Sequence, residues 1–195
     1  RFTGIIANNN INIEIKTGEI HAIIGENGAG KSTFCKMLTG VYKPDEGDII
    51  FLGKKVRFNT PAESREAGIG MVYQERNVIG YLNGAENICL GSEPTSGIVL
   101  NSKKTIERAK EIRDQLGIDV PLDVPVEKLG AGEQQVIEIM RAFFTNPKLL
   151  ILDEPTASLS QGEVEPFLRD LKKIRDQLGV SIIFISHKIE EIFSR

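Results

Sequence analysis

The chain has 195 residues, 41% of them hydrophobic and 26% charged, a composition that excludes an extended disordered or collagen-like polymer. A chain of this size buries roughly 70% of the surface its unfolded form exposes, so it needs no disulfide or metal staple. Lysine and arginine number 24 against 27 acidic residues, a net charge of −3 that argues against nucleic-acid binding through bulk positive charge. Cys35 and Cys89 match no zinc spacing and no disulfide framework, which fits a reducing compartment. No apolar run approaches the ~20 residues of a membrane span. The chain opens on Arg1-Phe2-Thr3-Gly4 without methionine and stops at Phe193-Ser194-Arg195 inside a helical pattern. Both ends therefore read as cut, and the chain as a piece of a longer protein.

Short β-type runs alternate with longer helical patterns, which predicts an α/β fold. Strands are expected at residues 11–15, 20–24, 48–52, 69–72, 149–152 and 181–185. The last two are apolar throughout, as in parallel strands covered on both faces. One helix is expected directly after Gly30 and another near residues 163–177, ending at Gly179. Between them the texture changes. Residues 105–116 carry apolar side chains at 106, 109, 112 and 116 on one helical face, and residues 91–97 read as a loop. The pattern predicts a core of residues 1–74 and 145–195, interrupted by a helical insertion at 75–144. No internal repeat or low-complexity tract is visible.

Gly25-Glu26-Asn27-Gly28-Ala29-Gly30-Lys31-Ser32 matches G-x-x-x-x-G-K-[ST], with Thr33 following. It sits between a predicted strand and a predicted helix, the context that motif needs. Glycines let backbone N–H groups wrap phosphate oxygens, and the next helix points its positive end at the same charge. Lys31 supplies a point charge for the β- and γ-phosphates, and the Ser32 hydroxyl is placed to ligate Mg²⁺. The run Leu149-Leu150-Ile151-Leu152-Asp153-Glu154 ends in two acids. At the C-terminal end of a parallel strand, Asp153 can hold Mg²⁺ through water and Glu154 can orient or deprotonate an attacking water. His187 follows the last predicted strand in the same way, and Gln74 follows the strand at 69–72. His21 enters a strand and reads as structural.

With these residues in place, the chain resembles the nucleotide-binding domain of ATP-binding cassette (ABC) proteins over nearly its full length. Residues 25–33 are similar to their Walker A motif, and 149–154 to Walker B with its catalytic glutamate. Gln74 resembles the Q-loop glutamine, a further metal ligand, and His187 the switch histidine. Leu129-Gly130-Ala131-Gly132-Glu133-Gln134-Gln135 falls where the family carries its signature, so Gly130, Gly132 and Glu133 are expected at the nucleotide of the opposite subunit. Phe2 suits the aromatic that stacks on adenine. Two departures stand out. Gly130 and Ala131 replace the signature serine and first glycine, which leaves the backbone N–H groups and helix dipole for anion contact. Ser160 stands where the loop after Glu154 commonly has aspartate.

The details at Glu26-Asn27, Glu133-Gln134-Gln135 and residues 154–159 further resemble the N-terminal cassette of ribose/galactose/xylose-type importers. The resemblance implies a P-loop NTPase core with a mostly parallel sheet, an antiparallel β portion near the N-terminus and an inserted helical subdomain. It implies ATP and Mg²⁺ as ligands, hydrolysis coupled to import of a small carbohydrate, and a second cassette as partner. Membrane permease subunits would be met near residues 78–82 at the cytoplasmic face, with an extracytoplasmic sugar-binding protein acting indirectly. Two other readings stand beside it: a soluble cassette working on ribosomes or DNA, disfavoured by the charge balance, and a regulatory cassette that binds ATP without turnover.

Overall fold

The computed structural model describes residues 4–96 and 99–187. Four strands form one parallel sheet: β1 (Ile20–Ile24), β4 (Ile69–Val72), β7 (Leu149–Asp153) and β8 (Ser181–Ser186), in the spatial order β1-β8-β7-β4. Every residue of β7 and β8 is buried, which is why those two segments are apolar without alternation. A separate hairpin pairs β2 (Ile49–Phe51) with β3 (Lys54–Val56), turning through Leu52 and Gly53, both at positive φ as a two-residue turn requires.

After β1 comes α1 (Lys31–Leu38), and α2 (Pro61–Ala67) leads into β4. Between β4 and β7 lie α3 (Gly84–Cys89), α4 (Ser102–Leu116) and α5 (Ala131–Ala142), with a two-residue antiparallel pair, β5 (Thr95–Ser96) and β6 (Val99–Leu100). The last helix, α6 (Gln161–Leu178), ends on Gly179 in the left-handed conformation, as its sequence predicts. Two apolar clusters flank the sheet. The larger joins α3–α6 to Leu150, Leu152, Ile182 and Phe184; the smaller joins α1 and the hairpin to Ile151, Ile183 and Ile185. Alternate residues of β7 and β8 thus face opposite layers.

Three expectations need correction. Residues 11–15 form no strand: Ile11 is 52% exposed, and neither the sheet nor the hairpin supplies a ladder partner among the described residues. Alternation gives the segment an apolar face, but a strand also needs a hydrogen-bonding neighbour. The buried stripe of α4 runs through Thr105, Ala109, Ile112 and Leu116, while Ile106 stays 42% exposed. Thr105 satisfies its hydroxyl on that face by donating to the Asn101 carbonyl at 3.1 Å, and its own carbonyl accepts the Cys89 thiol at 3.6 Å. The loop at 91–97 contains β5, too short a strand to register as a pattern.

The segment after β4 is fastened to α5 by Glu138, whose Oε1 accepts the Asn77 N–H at 2.5 Å while the buried Oε2 has no partner. Burial pushes the Glu138 carboxyl above the usual range, against smaller opposing contributions from the Asn77 N–H, Arg141 and Arg76. A raised acid pKa means the folded state holds its proton longer, so the associated stability is present at low pH and lost as pH rises. Glu138→Gln keeps the carbonyl acceptor and removes the ionisation. The melting-temperature difference, variant minus wild type, should therefore grow between about pH 4 and pH 7. A pH-independent difference would show that ionisation of Glu138 carries no such cost.

Candidate functional site

Because β1, β4, β7 and β8 are parallel, their C-terminal ends share one edge of the sheet, where ligands bind in open α/β folds. Residues 25–30 leave β1 at that edge and enter α1. Gly28 and Gly30 have φ of 84° and 90°, in the left-handed region. A Cβ on Gly30 would lie 2.3 Å from the Ala7 carbonyl oxygen and 2.7 Å from Asn8 Nδ2, so this position excludes any side chain. Asn8 Nδ2 also donates to the Gly30 carbonyl at 3.2 Å, fastening the loop from outside. Glu26, Asn27, Gly28 and Ala29 are exposed. The first-turn N–H groups of Lys31, Ser32 and Thr33 have no acceptor within α1, and they sit at its positive end.

Lys31 is buried and reaches back over the loop, its Nζ donating to the carbonyls of Gly25 at 2.6 Å and Glu26 at 2.9 Å. The same Nζ lies 4.0 Å from Glu154 Oε1. Glu154 is only 9% exposed and takes a left-handed φ of 50°, uncommon for a residue with a side chain. Its N–H donates to Ile185 O at 3.0 Å, which extends the β7–β8 pairing one residue beyond β7. Its Oε2 accepts Gln74 Nε2 at 3.1 Å and lies 3.3 Å from His187 Nδ1. Residues 31, 74, 154 and 187, far apart in sequence, therefore meet at one carboxylate.

Asp153, 5% exposed, sits beside this group with its Oδ1 buried and unpartnered. Burial raises its carboxyl above the usual range, and Glu154 adds to the rise; the Ser32 hydroxyl, which donates to it, and the Lys31 and Lys36 charges oppose it. A free hard oxygen next to a hydroxyl fits a divalent cation such as Mg²⁺. Among the described residues no cluster of three His, Cys, Asp or Glu exists, so such an ion would complete its shell from phosphate and water.

The residues at 129–135 take no part in the contacts at Glu154 just described. Gly130 caps α5, its N–H donating to Glu133 Oε2 at 2.8 Å, and the Gly132 N–H donates to Glu163 Oε1 at 3.1 Å. Two of the N–H groups expected to meet an anion are thus engaged by carboxylates of the same chain. Ser160 holds Glu163 in place, its N–H and hydroxyl both donating to Oε2, at 2.9 and 2.6 Å. These bonds hold the Glu163 carboxyl below the usual range. Phe2 lies outside the described residues. His21 pairs with Glu19 at 2.8 Å, away from the sheet's C-terminal edge. Asn8, Arg76 and Glu163 escaped the sequence reading, since each acts through contacts with residues distant in the chain.

Residues 8–157 match the ABC transporter family, and the chain belongs to it. It is 44% identical over 192 residues to the galactose/methyl galactoside import ATP-binding protein MglA of Mannheimia succiniciproducens, and 44% over 193 residues to the ribose import ATP-binding protein RbsA of Hahella chejuensis. Each alignment covers 98% of this chain but 38% of the relative, so the chain spans about two fifths of their length. Among solved structures, it is similar to a nucleotide-free ATP-binding cassette from an ABC transporter, with a TM-score of 0.84 and 26% identity over 98% of this chain and 79% of that one. It is also similar to a dimeric post-hydrolysis cassette bound to ADP and Pi, with a TM-score of 0.74 and 28% identity over 95% and 82%. Cassettes of this family bind adenine nucleotides.

Replacing Gly30 by alanine would force a Cβ into the Ala7 carbonyl at a φ that side chains resist. Titration with a fluorescent ATP analogue should show binding weakened at least tenfold in Gly30→Ala. Wild-type affinity in that variant would mean the loop tolerates the shift and does not need its present shape.

Proposed function

We propose that this chain is an ATP-binding and ATP-hydrolysing cassette that energises import of a small carbohydrate through a membrane permease. The observation that carries the reading is the convergence of Lys31, Gln74 and His187 on Glu154, directly beside the glycine loop. In this reading residues 25–33 hold the phosphates through backbone N–H groups, and Lys31 turns its charge from the Gly25 and Glu26 carbonyls to the phosphates. Ser32, Asp153 and Gln74 would hold Mg²⁺, which offsets phosphate charge. Glu154 accepts the proton of the attacking water while Gln74 and His187 fix its carboxylate in place. The carboxylate starts buried, desolvated and already aimed, so little reorganisation precedes attack.

Several finer parts of the reading rest on relatives. The two import proteins named above suggest galactose or ribose as cargo, with permease subunits and an external sugar-binding protein around them. The dimeric cassette suggests a second cassette, to which Gly130, Gly132 and Glu133 would present the start of α5. There an incoming phosphate would compete with Glu163 for the Gly132 N–H. Among the described residues no helix is long and apolar enough to cross a membrane, so attachment at the cytoplasmic face would run through the permease. Tyr81, 75% exposed within residues 78–82, supports that stretch as the point of contact.

Glu154→Gln should lower ATP turnover by about 10²–10⁴ while leaving MgATP affinity intact. Light scattering on that variant should show an ATP-dependent doubling of mass if two cassettes close on nucleotide. Unchanged turnover would remove Glu154 from its role.

A further inference from the structure

Residues 73–79, which follow β4 and carry Gln74, belong to neither helix nor strand. What holds the segment near Gln74 is a small set of side-chain links, and Arg76 makes two of them. Its Nη1 donates to Gln134 Oε1 on α5 at 2.8 Å, and its Nη2 reaches the Ser158 carbonyl, four residues past Glu154, at 3.5 Å. The Gln134 amide is oriented by its own bonds: Nε2 donates to Val126 O at 3.1 Å and Leu129 O at 3.0 Å, which leaves Oε1 for Arg76. Asn77, the next residue, donates its N–H to Glu138 on the same helix.

We propose that Arg76 is a positioning residue that ties the Gln74 loop to the start of α5 and to the loop after Glu154, so that a displacement of Gln74 is carried to residues 130–135. The guanidinium suits this task because its planar fork serves two acceptors at fixed angles, which a lysine ammonium does not reproduce. Its partners lie 58 and 82 residues away, on the two segments that also bear Gly130 and Glu154. Gln74 itself is hydrogen-bonded to Glu154. A change at that bond therefore reaches the α5 terminus through two residues of backbone and one guanidinium. This inference rests on the nucleotide reading above.

The test is hydrogen exchange on the full chain with and without MgATP, together with turnover. In the wild type, MgATP should slow exchange both at residues 25–33 and at 130–136. Arg76→Met, which keeps the apolar stem, should retain the first response and lose the second. Its kcat should fall roughly tenfold or more, with KM within about twofold. Arg76→Lys, which keeps the charge without the fork, should behave like Arg76→Met and serves as a second folded variant. Persistence of the response at 130–136 in Arg76→Met, or full rescue by lysine, would each overturn the proposal. Absence of protection at 25–33 in the wild type would instead overturn the nucleotide reading, and this inference with it.

Discussion

The parallel ladder between β7 and β8 is the constraint on which the site depends. Its register places Asp153 opposite Ile185, and the bond from the Glu154 N–H to the Ile185 carbonyl carries the pairing one residue further. That bond fixes a residue in left-handed backbone, which costs of order 1–3 kcal/mol and persists only where surroundings over-determine it. Here they do. Both strands are buried along their whole length, with one apolar layer on each side, so the ladder cannot slip without turning every side chain to the wrong face. The strained Glu154 thus has its position set by the two strands that are buried along their whole length.

Around it the electrostatics are arranged in opposition. Two acids lie side by side at the end of β7, and burial raises Asp153 further. Lys31 offsets part of this charge from 4.0 Å but is held chiefly by two loop carbonyls. A buried ammonium bonded to carbonyls keeps its donors aimed at the loop's concave side at little entropic cost, so a phosphate would need only to take over donors already in place. The same glycines that admit this approach make the loop intolerant of change at Gly30, where the neighbours are backbone and an asparagine amide.

How much of this was legible in the sequence follows from the range over which each signal acts. Local signals were strong: the glycine spacing at 25–32, the uniformly apolar runs at 149–153 and 181–186, and the Gly179 stop of α6 each reflect a nearby backbone requirement. Gln74 and His187 were readable because a parallel sheet brings strand ends together, so topology converts four separate positions into one edge. Residues 11–15 misled because alternation reports a face and not a partner. Arg76 and Glu163 were invisible for the opposite reason. Each is an ordinary charged residue on its own segment, and the contacts that tie it to the segments at 130–134 and 158 are made to residues 31 to 82 positions away.

The start of α5 shows how a departure from a family pattern is absorbed. Glycine at an N-cap costs only a few tenths of a kcal/mol relative to serine, and Glu133 supplies the bond that secures the turn by accepting the Gly130 N–H. The helix itself therefore loses little at Gly130. What is lost is a hydroxyl facing outward, worth roughly 1.5–3 kcal/mol towards a charged group. Glu163 adds a second effect, since its carboxylate already satisfies the Gly132 N–H and brings negative charge to the positive end of the helix. An anion arriving there must displace Glu163, whose low pKa reflects the Ser160 bonds that retain it. The substitution at 130 and the contact from 163 act in the same direction: they leave α5 stable while weakening its pull on an external phosphate. Any closure of two such cassettes would then draw more of its driving force from the glycine loop, Lys31 and Asp153 than from the α5 terminus.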